Sequence, residues 1–108
     1  MQNDQTIKMD AGKIRPTLVP MGIIREIARV RGYGLEKYGT AESWKRVDPI
    51  RYRDAAFRHL LAYLSDPLGV DEESGLPHIS HLACNVAFLI ELEGVGKCEP
   101  AKDAQTAK

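Results

Sequence analysis

The apolar residues of the chain recur in three blocks with helical spacing, separated by segments rich in glycine, proline and charge. In the first block, isoleucine and valine alternate with arginine and glutamate as in an amphipathic helix, which predicts a helix over residues 21–30. The sequence RGYG follows at once. It predicts the end of this helix, because Gly32 and Gly34 can adopt the left-handed geometry of a helix C-cap.

The second and third blocks predict two longer helices. Asp48 is a residue type favoured at N-caps and Pro49 suits a first helical position, so the stretch IRYRDAAFRHLLAYL predicts a helix up to about residue 65. The third block, residues 77–93, is apolar on nearly every side, which is typical of a central helix. The chain is therefore expected to be all-α, a compact domain of three main helices with long loops.

The composition at the two ends predicts the limits of this domain. Residues 1–9 are polar and are predicted to be a flexible N-terminus. Residues 94–108 are rich in glycine, alanine and lysine and predict a disordered tail, which leaves residues 10–93 as one all-α domain. Three helices in a 108-residue chain bury little surface alone, so we expect a homo-oligomer, a dimer or higher.

Charge and hydropathy limit the classes of partner. The formal net charge is zero, so no nucleic acid polymer is expected as a partner. No apolar run approaches the ~20 residues that span a bilayer, and the N-terminus lacks a signal peptide, so we expect a cytoplasmic protein without a membrane partner. Cys84 and Cys98 lack the spacing of metal ligands and are interpreted as reduced thiols.

Polar residues interrupt the apolar third helix on one face. His78, His81 and Asn85 follow the i, i+3, i+7 rule and therefore share that face. An unsatisfied buried amide would cost about 1–3 kcal/mol, so Asn85 needs a partner. Two interpretations remain open: an Asn–His network that joins helices, or the wall of a polar pocket.

Further polar residues lie where they could complete such a pocket. The second helix offers Asp54, Arg58 and His59 at matching spacing, and the loop before the third helix brings Asp71, Glu72 and Glu73. Carboxylate, imidazole and guanidinium groups would then converge between two helices, which is where helical bundles place their sites.

An ordered series of motifs carries a resemblance to a known family. DAGKIRPTLVP, GLEKYG, a following Trp44, FRHLLAYL and DEESGLPHISHLACNVAFL together resemble the phage-encoded family of dATP/dGTP diphosphohydrolase N-terminal domains, over residues 8–93. That family is linked to the all-α nucleotide pyrophosphohydrolases of the MazG and dUTPase-like kind. The resemblance implies an all-α, oligomeric protein that handles a nucleoside polyphosphate between its helices, in the cytoplasm of the infected host cell.

The resemblance also implies a bound metal ion, although this chain departs from the ligand residues of MazG-like enzymes. MazG-like enzymes hold Mg²⁺ with acids on two successive helices, since magnesium takes hard oxygen ligands. Of the corresponding positions in this chain, only Asp54 is a carboxylate. Imidazole favours zinc, iron or manganese over magnesium. Either Mg or Mn is bound by a different set, in which Asp71, Glu72 or Glu73 joins the three histidines His59, His78 and His81, or the chemistry is lost and the residues bind phosphate directly. The metal ligands predicted for the first case are Asp54, Asp71, Glu73, His78 and His81.

The remaining roles follow from side-chain chemistry together with this resemblance. Arginine binds phosphate as a bidentate fork, lysine as a point charge, and aromatic rings stack on bases. Each of these roles has an alternative. The basic residues near the N-terminus could instead form a solvated arm. The aromatic residues between the first two helices could instead pack a loop onto the core. The predicted catalytic residues are Asp54, His59, Asp71 and His81. The predicted substrate-binding residues are Lys13, Arg15, Lys37, Tyr38, Trp44, Arg58, His78 and Asn85.

Three functions are compatible with these residues. The leading hypothesis is a pyrophosphohydrolase that converts a purine deoxynucleoside triphosphate to the monophosphate and pyrophosphate with a divalent metal. The alternative is a non-catalytic sponge that sequesters a nucleotide-derived immune signal of the cyclic nucleotide or ADP-ribose type, without a cofactor. The second alternative is an oligomeric scaffold in which the polar stripe fixes the register of association.

Overall fold

The computed structural model describes residues 11–95 of the chain. The predicted flexible segment, residues 1–9, lies outside the described residues, and so does nearly all of the predicted tail, residues 94–108. Both therefore stay predictions.

Three α-helices dominate the described part, which confirms the all-α prediction. They are α1, Met21–Tyr38, α2, Pro49–Ser65, and α3, His78–Leu92. Two short 3₁₀ helices, Pro16–Leu18 and Ser43–Arg46, lie in the segments before α1 and between α1 and α2. Between residues 11 and 95, no helix combines the length and the apolar character needed to cross a membrane.

Helix α3 is the central helix, as its apolar pattern predicted. Both α1 and α2 pack against it. The most deeply buried described residues, Ser80, Cys84 and Asn85, all belong to α3. On the α1 side, the Ser80 hydroxyl donates a hydrogen bond of 2.6 Å to Glu26 Oε1. A polar contact thus ties α1 to α3 inside the packed region.

Helix α1 is longer than the sequence predicted, and the predicted end at residue 30 is wrong. The helix passes through Gly32 and Gly34 and ends at Gly39, which has a φ of 74° and donates its backbone N–H to Leu35 O at 2.8 Å. A glycine inside a helix costs only about 1 kcal/mol relative to alanine, which packing against α3 can offset. Tyr33 and Tyr38 consequently lie on α1 and not in a loop.

The predicted start of α2 is confirmed in detail. Asp48 is the N-cap, and its Oδ1 accepts a hydrogen bond of 3.0 Å from Ile50 N–H, with Pro49 as the first helical residue. Trp44, in the connection before it, stacks on Phe88 of α3 with ring centroids 4.3 Å apart. This stacking anchors the α1–α2 connection to the central helix.

Helices α2 and α3 both carry exposed apolar side chains. On α2, Phe57, Leu61 and Leu64 follow the i, i+4, i+7 pattern, and each is more than half exposed. On the neighbouring α3, Ile79 and Val86 are at least 40% exposed. Large exposed apolar side chains that cluster on one helix face are typical of a protein–protein interface.

We expect a second copy of the chain to cover these side chains. Phe57→Glu should shift the protein toward monomers, because it would bury a carboxylate in an apolar contact. Sedimentation equilibrium of the wild type and the variant measures the change. Ile14→Glu is the matched control, because Ile14 is 89% exposed and lies outside the three helices. A wild-type protein that sediments as a monomer at high micromolar concentration would contradict the expectation.

Candidate functional site

A cavity of about 790 Å³ lies between the three helices and the Ser43–Arg46 turn. Its volume is in the range of small-molecule sites in proteins. The three histidines of the chain, His59 on α2 and His78 and His81 on α3, all line it. So does Asn85, which is only 9% exposed. The polar face of α3 therefore forms a wall of this cavity.

Most residues that the sequence predicted for the site line this cavity, and three do not. Those that line it are Lys37, Tyr38, Trp44, Arg58, His59, Asp71, Glu73, His78, His81 and Asn85. Lys13 and Arg15 are exposed in the segment before α1, and neither lines the cavity. Asp54 is exposed on α2 and is also outside it. Arg58 lines the cavity but is itself exposed. Asp54 lies one helical turn earlier on α2, outside the cavity.

The three imidazoles contact one another. His59 Nδ1 and His78 Nδ1 are 2.9 Å apart, a hydrogen-bond distance. The rings of His59 and His81 stack with centroids 4.7 Å apart and planes 10° apart. Burial lowers the pKa of His59, and the neighbouring imidazoles lower it further. Burial also lowers the pKa of His81, although Asp71 opposes that shift. The neutral forms of His59 and His81 are therefore favoured.

The loop before α3 presents Asp71 to these histidines through hydrogen bonds made by Ser74. Ser74 N–H donates to Asp71 Oδ2 at 2.9 Å, and Ser74 Oγ lies 2.7 Å from His81 Nε2. Burial tends to raise the pKa of Asp71, but the hydrogen bonds from Ser74 and the nearby histidines outweigh it, so the pKa is lowered overall. Ligand atoms of His59, Asp71 and His78 all lie within 4.8 Å of one another. We call these three residues the His–His–Asp group.

Glu73 has other partners. Tyr33 Oη donates a hydrogen bond of 2.6 Å to Glu73 Oε2, and Lys37 Nζ forms an ion pair with the same oxygen. The hydrogen bond from Lys37 lowers the pKa of Glu73, and Tyr33 adds to this effect. The structure thus brings Glu73, a predicted metal ligand, to α1 and not into the His–His–Asp group.

The aromatic residues divide into packed and open ones. The guanidinium carbon of Arg31 lies 5.7 Å from the ring centroid of Trp44 and 5.3 Å from that of Phe88. Trp44, which stacks on Phe88, therefore fits the alternative in which the connection is packed onto the core. Tyr38 lines the cavity and is 64% exposed. Its ring is the better candidate to stack on a base.

Sequence reasoning missed several lining residues. Arg31 was missed because the helix was predicted to end at residue 30. In a helix that continues, Arg31, Gly34 and Tyr38 fall on one face at i, i+3, i+7. Arg51 and Tyr52 also line the cavity from the first turn of α2. Arg51 lies four residues before Ala55, and Tyr52 lies seven residues before His59, so each pair shares a helix face. This spacing could have indicated that both residues line the cavity.

Cys84 is expected to be inert in the folded protein. Burial raises its pKa to about 11, and the residue is 2% exposed. The thiolate is the reactive species, so a Cys98→Ser variant at pH 8 should react with iodoacetamide at least about 100-fold more slowly folded than in guanidinium. Mass spectrometry of timed samples measures the two rates. Equal rates would show that Cys84 is accessible.

Comparison with known proteins identifies the family of this chain. The family model described as "dATP/dGTP diphosphohydrolase, N-terminal" matches residues 3–102. The chain belongs to this family. The resemblance of the motifs is thereby confirmed. A family relative, a protein of Salmonella phage PMBT28 named dATP/dGTP diphosphohydrolase, is 37% identical over 86 residues. The match covers 80% of this chain but 29% of the relative, so the chain spans less than a third of that protein. No solved structure matches the chain.

Proposed function

We propose that this domain binds a purine deoxynucleoside triphosphate in the cavity and hydrolyses it to the monophosphate and pyrophosphate. The observation that carries the proposal is the convergence of the His–His–Asp group, cationic side chains and Tyr38 in one cavity of about 790 Å³. The description of the family and the name of the phage relative support the class of substrate. Each part of the nucleotide has a candidate partner in the cavity.

The phosphates would bind along α2. Arg51 and Arg58 both line the cavity, are exposed, and share a helix face because they are seven residues apart. A guanidinium group binds phosphate oxygens with two parallel hydrogen bonds. Lys37 adds a positive charge on the α1 side, where it is paired with Glu73. The triphosphate would thus lie between cations on two helices.

The base would lie toward Tyr38 and Asn85. A phenol ring stacks on any base, and such stacking is worth about 1–3 kcal/mol. The Asn85 amide has both a donor and an acceptor, so it can hydrogen-bond to the edge of a purine. Asn85 is nearly buried, so its orientation is set by the packing of α3. Tyr38 supplies affinity in this arrangement, and Asn85 supplies selectivity.

Hydrolysis needs a water, a proton acceptor and neutralised charge. The water oxygen forms a bond to the α-phosphorus while the bond to the oxygen that leaves with pyrophosphate breaks. A divalent cation, when bound, polarises the phosphate and offsets its charge. His81 lies beside the His–His–Asp group and stacks on His59, so it is placed to accept the proton from the water. Arg58 can neutralise the departing pyrophosphate.

Sequestration without turnover is the second candidate. It is favoured by the scarcity of carboxylates: the His–His–Asp group contains one, Asp71, and Glu73 is engaged by Lys37. Such a cavity would retain a phosphorylated ligand through its cations alone. The ligand in this case would be a cyclic nucleotide or an ADP-ribose-type molecule.

A nucleotide panel separates these functions. The protein is incubated with the four deoxynucleoside triphosphates, cyclic nucleotides and ADP-ribose, with Mg²⁺, with Mn²⁺ and with EDTA. The mixture is then denatured and the nucleotides are separated by anion exchange. We expect monophosphate and pyrophosphate from purine substrates only, and none with EDTA. Stoichiometric recovery of an intact ligand from protein that was first separated from free nucleotide by gel filtration would favour sequestration, and neither cleavage nor binding would refute both functions.

A further inference from the structure

We propose that His59, His78 and Asp71 form a site for a first-row transition metal ion such as Mn²⁺, Fe²⁺, Co²⁺ or Zn²⁺, and not for Mg²⁺. The proposal rests on the proposed function only for the role of the metal in hydrolysis. Binding of the metal itself follows from the geometry and chemistry of the three side chains.

The distances within the His–His–Asp group are close to those of a metal site. Two ligands that are each about 2.1 Å from a metal lie about 3.0–3.4 Å apart at angles between 90° and tetrahedral. His59 Nδ1 and His78 Nδ1 are 2.9 Å apart, so the imidazoles need to separate only slightly. The Asp71 carboxylate is within 4.8 Å of both and would need to approach.

The chemistry of the ligands selects the kind of ion. Two imidazoles and one carboxylate with open positions are typical of Fe²⁺ and related transition metals. Mg²⁺ instead takes oxygen ligands in an octahedron and is usually held by carboxylates and waters. In the described part of the chain, Asp71 is the one carboxylate in this group. The ligand set therefore disagrees with the Mg²⁺ that the resemblance to MazG-like enzymes implies.

Neighbouring residues support two of the three ligands. His81 stacks on His59, and Ser74 N–H donates a hydrogen bond to Asp71 Oδ2. Ser74 Oγ also lies within hydrogen-bond distance of His81 Nε2, which joins the two supports. Groups that orient metal ligands in this way commonly change metal affinity by about 10–100-fold when removed. We therefore assign Ser74 as a positioning residue.

The chain has so few histidines and cysteines that Co²⁺ absorption from imidazole ligation can be assigned to this site. The chain has three histidines and two cysteines. All three histidines lie at this cavity, and Cys84 is buried. In an untagged Cys98→Ser protein, imidazole ligation of Co²⁺ can therefore arise only here. Visible absorption of Co²⁺ reports the ligation, and metal analysis after gel filtration gives the stoichiometry.

The test titrates Co²⁺ into this protein without nucleotide. We expect one Co²⁺ per chain, displaced by Zn²⁺ but not by a large excess of Mg²⁺. His78→Ala and the isosteric Asp71→Asn should each weaken binding at least about 10-fold, because the first removes a ligand and the second removes the negative charge of a ligand. Glu72→Gln is the matched control, since Glu72 is an exposed neighbour that does not line the cavity. Circular dichroism of each variant establishes that it is folded.

The outcomes separate this inference from the proposed function. No Co²⁺ absorption, displacement by Mg²⁺, or equal affinity in folded Asp71→Asn and wild-type protein would overturn the metal site. Purine triphosphate hydrolysis with Mg²⁺ alone would overturn it as well, while the proposed function stood. Tight Co²⁺ binding without cleavage of any nucleotide would uphold the metal site and remove the hydrolytic function.

Discussion

Asp71→Asn should reduce pyrophosphate release from dGTP by at least about 100-fold, because it removes the one carboxylate of the His–His–Asp group. Asparagine has nearly the same size, and its side-chain oxygen can still accept the hydrogen bond from Ser74 N–H. The loop before α3 should therefore keep its path. Initial rates with Mn²⁺, measured by a coupled pyrophosphate assay, give the effect.

The neighbouring variant Glu72→Gln serves as the control for this prediction. It removes the same charge from the same loop, but Glu72 is exposed and does not line the cavity. We expect its rate to stay near that of the wild type. An Asp71→Asn protein that turns over at the wild-type rate would show that Asp71 has no part in the reaction.

Arg58→Ala should weaken nucleotide binding by about 10–150-fold. A charge-assisted hydrogen bond to phosphate is worth about 1.5–3 kcal/mol, and each 1.36 kcal/mol is a factor of ten. The loss is expected whether the nucleotide is hydrolysed or retained, because both functions require the phosphates to be neutralised. Calorimetric titration with dGTP in EDTA measures binding without turnover.

Arg53→Ala is the matched control for Arg58→Ala. Arg53 lies on the same helix and is ion-paired with Glu93, and it does not line the cavity. Its removal changes the net charge equally and should leave the affinity nearly unchanged. Equal losses in the two variants would mean that α2 attracts nucleotide only through its overall charge.

The helices show how far local sequence determines this fold. Asp48 and Pro49 start α2 with side-chain chemistry that acts within a few residues, so the prediction was accurate. The predicted end of α1 was wrong because Gly32 and Gly34 were interpreted as residues that terminate the helix. Helix α1 packs against α3, and such a tertiary contact cannot be predicted from helix propensity alone.

The site shows a similar division. The shared face of His78, His81 and Asn85 follows from helical periodicity, and the structure places all three at the cavity. Which polar residues of α2 reach the cavity depends on how α2 crosses α3, and the sequence does not give that geometry. Asp54 was therefore assigned to the site although it lies outside the cavity. The contacts of Ser74 depend on the path of the loop before α3, which no periodic pattern encodes.

The most direct test of the account is a crystal structure of the chain with Mn²⁺ and a dGTP analogue that carries a non-hydrolysable bridge between the α- and β-phosphates. We predict that the analogue occupies the cavity between the helices, with its base on Tyr38, its phosphates near Arg58 and its α-phosphate beside the His–His–Asp group. An analogue bound on another surface of the chain, with this cavity empty at saturating concentration, would contradict it.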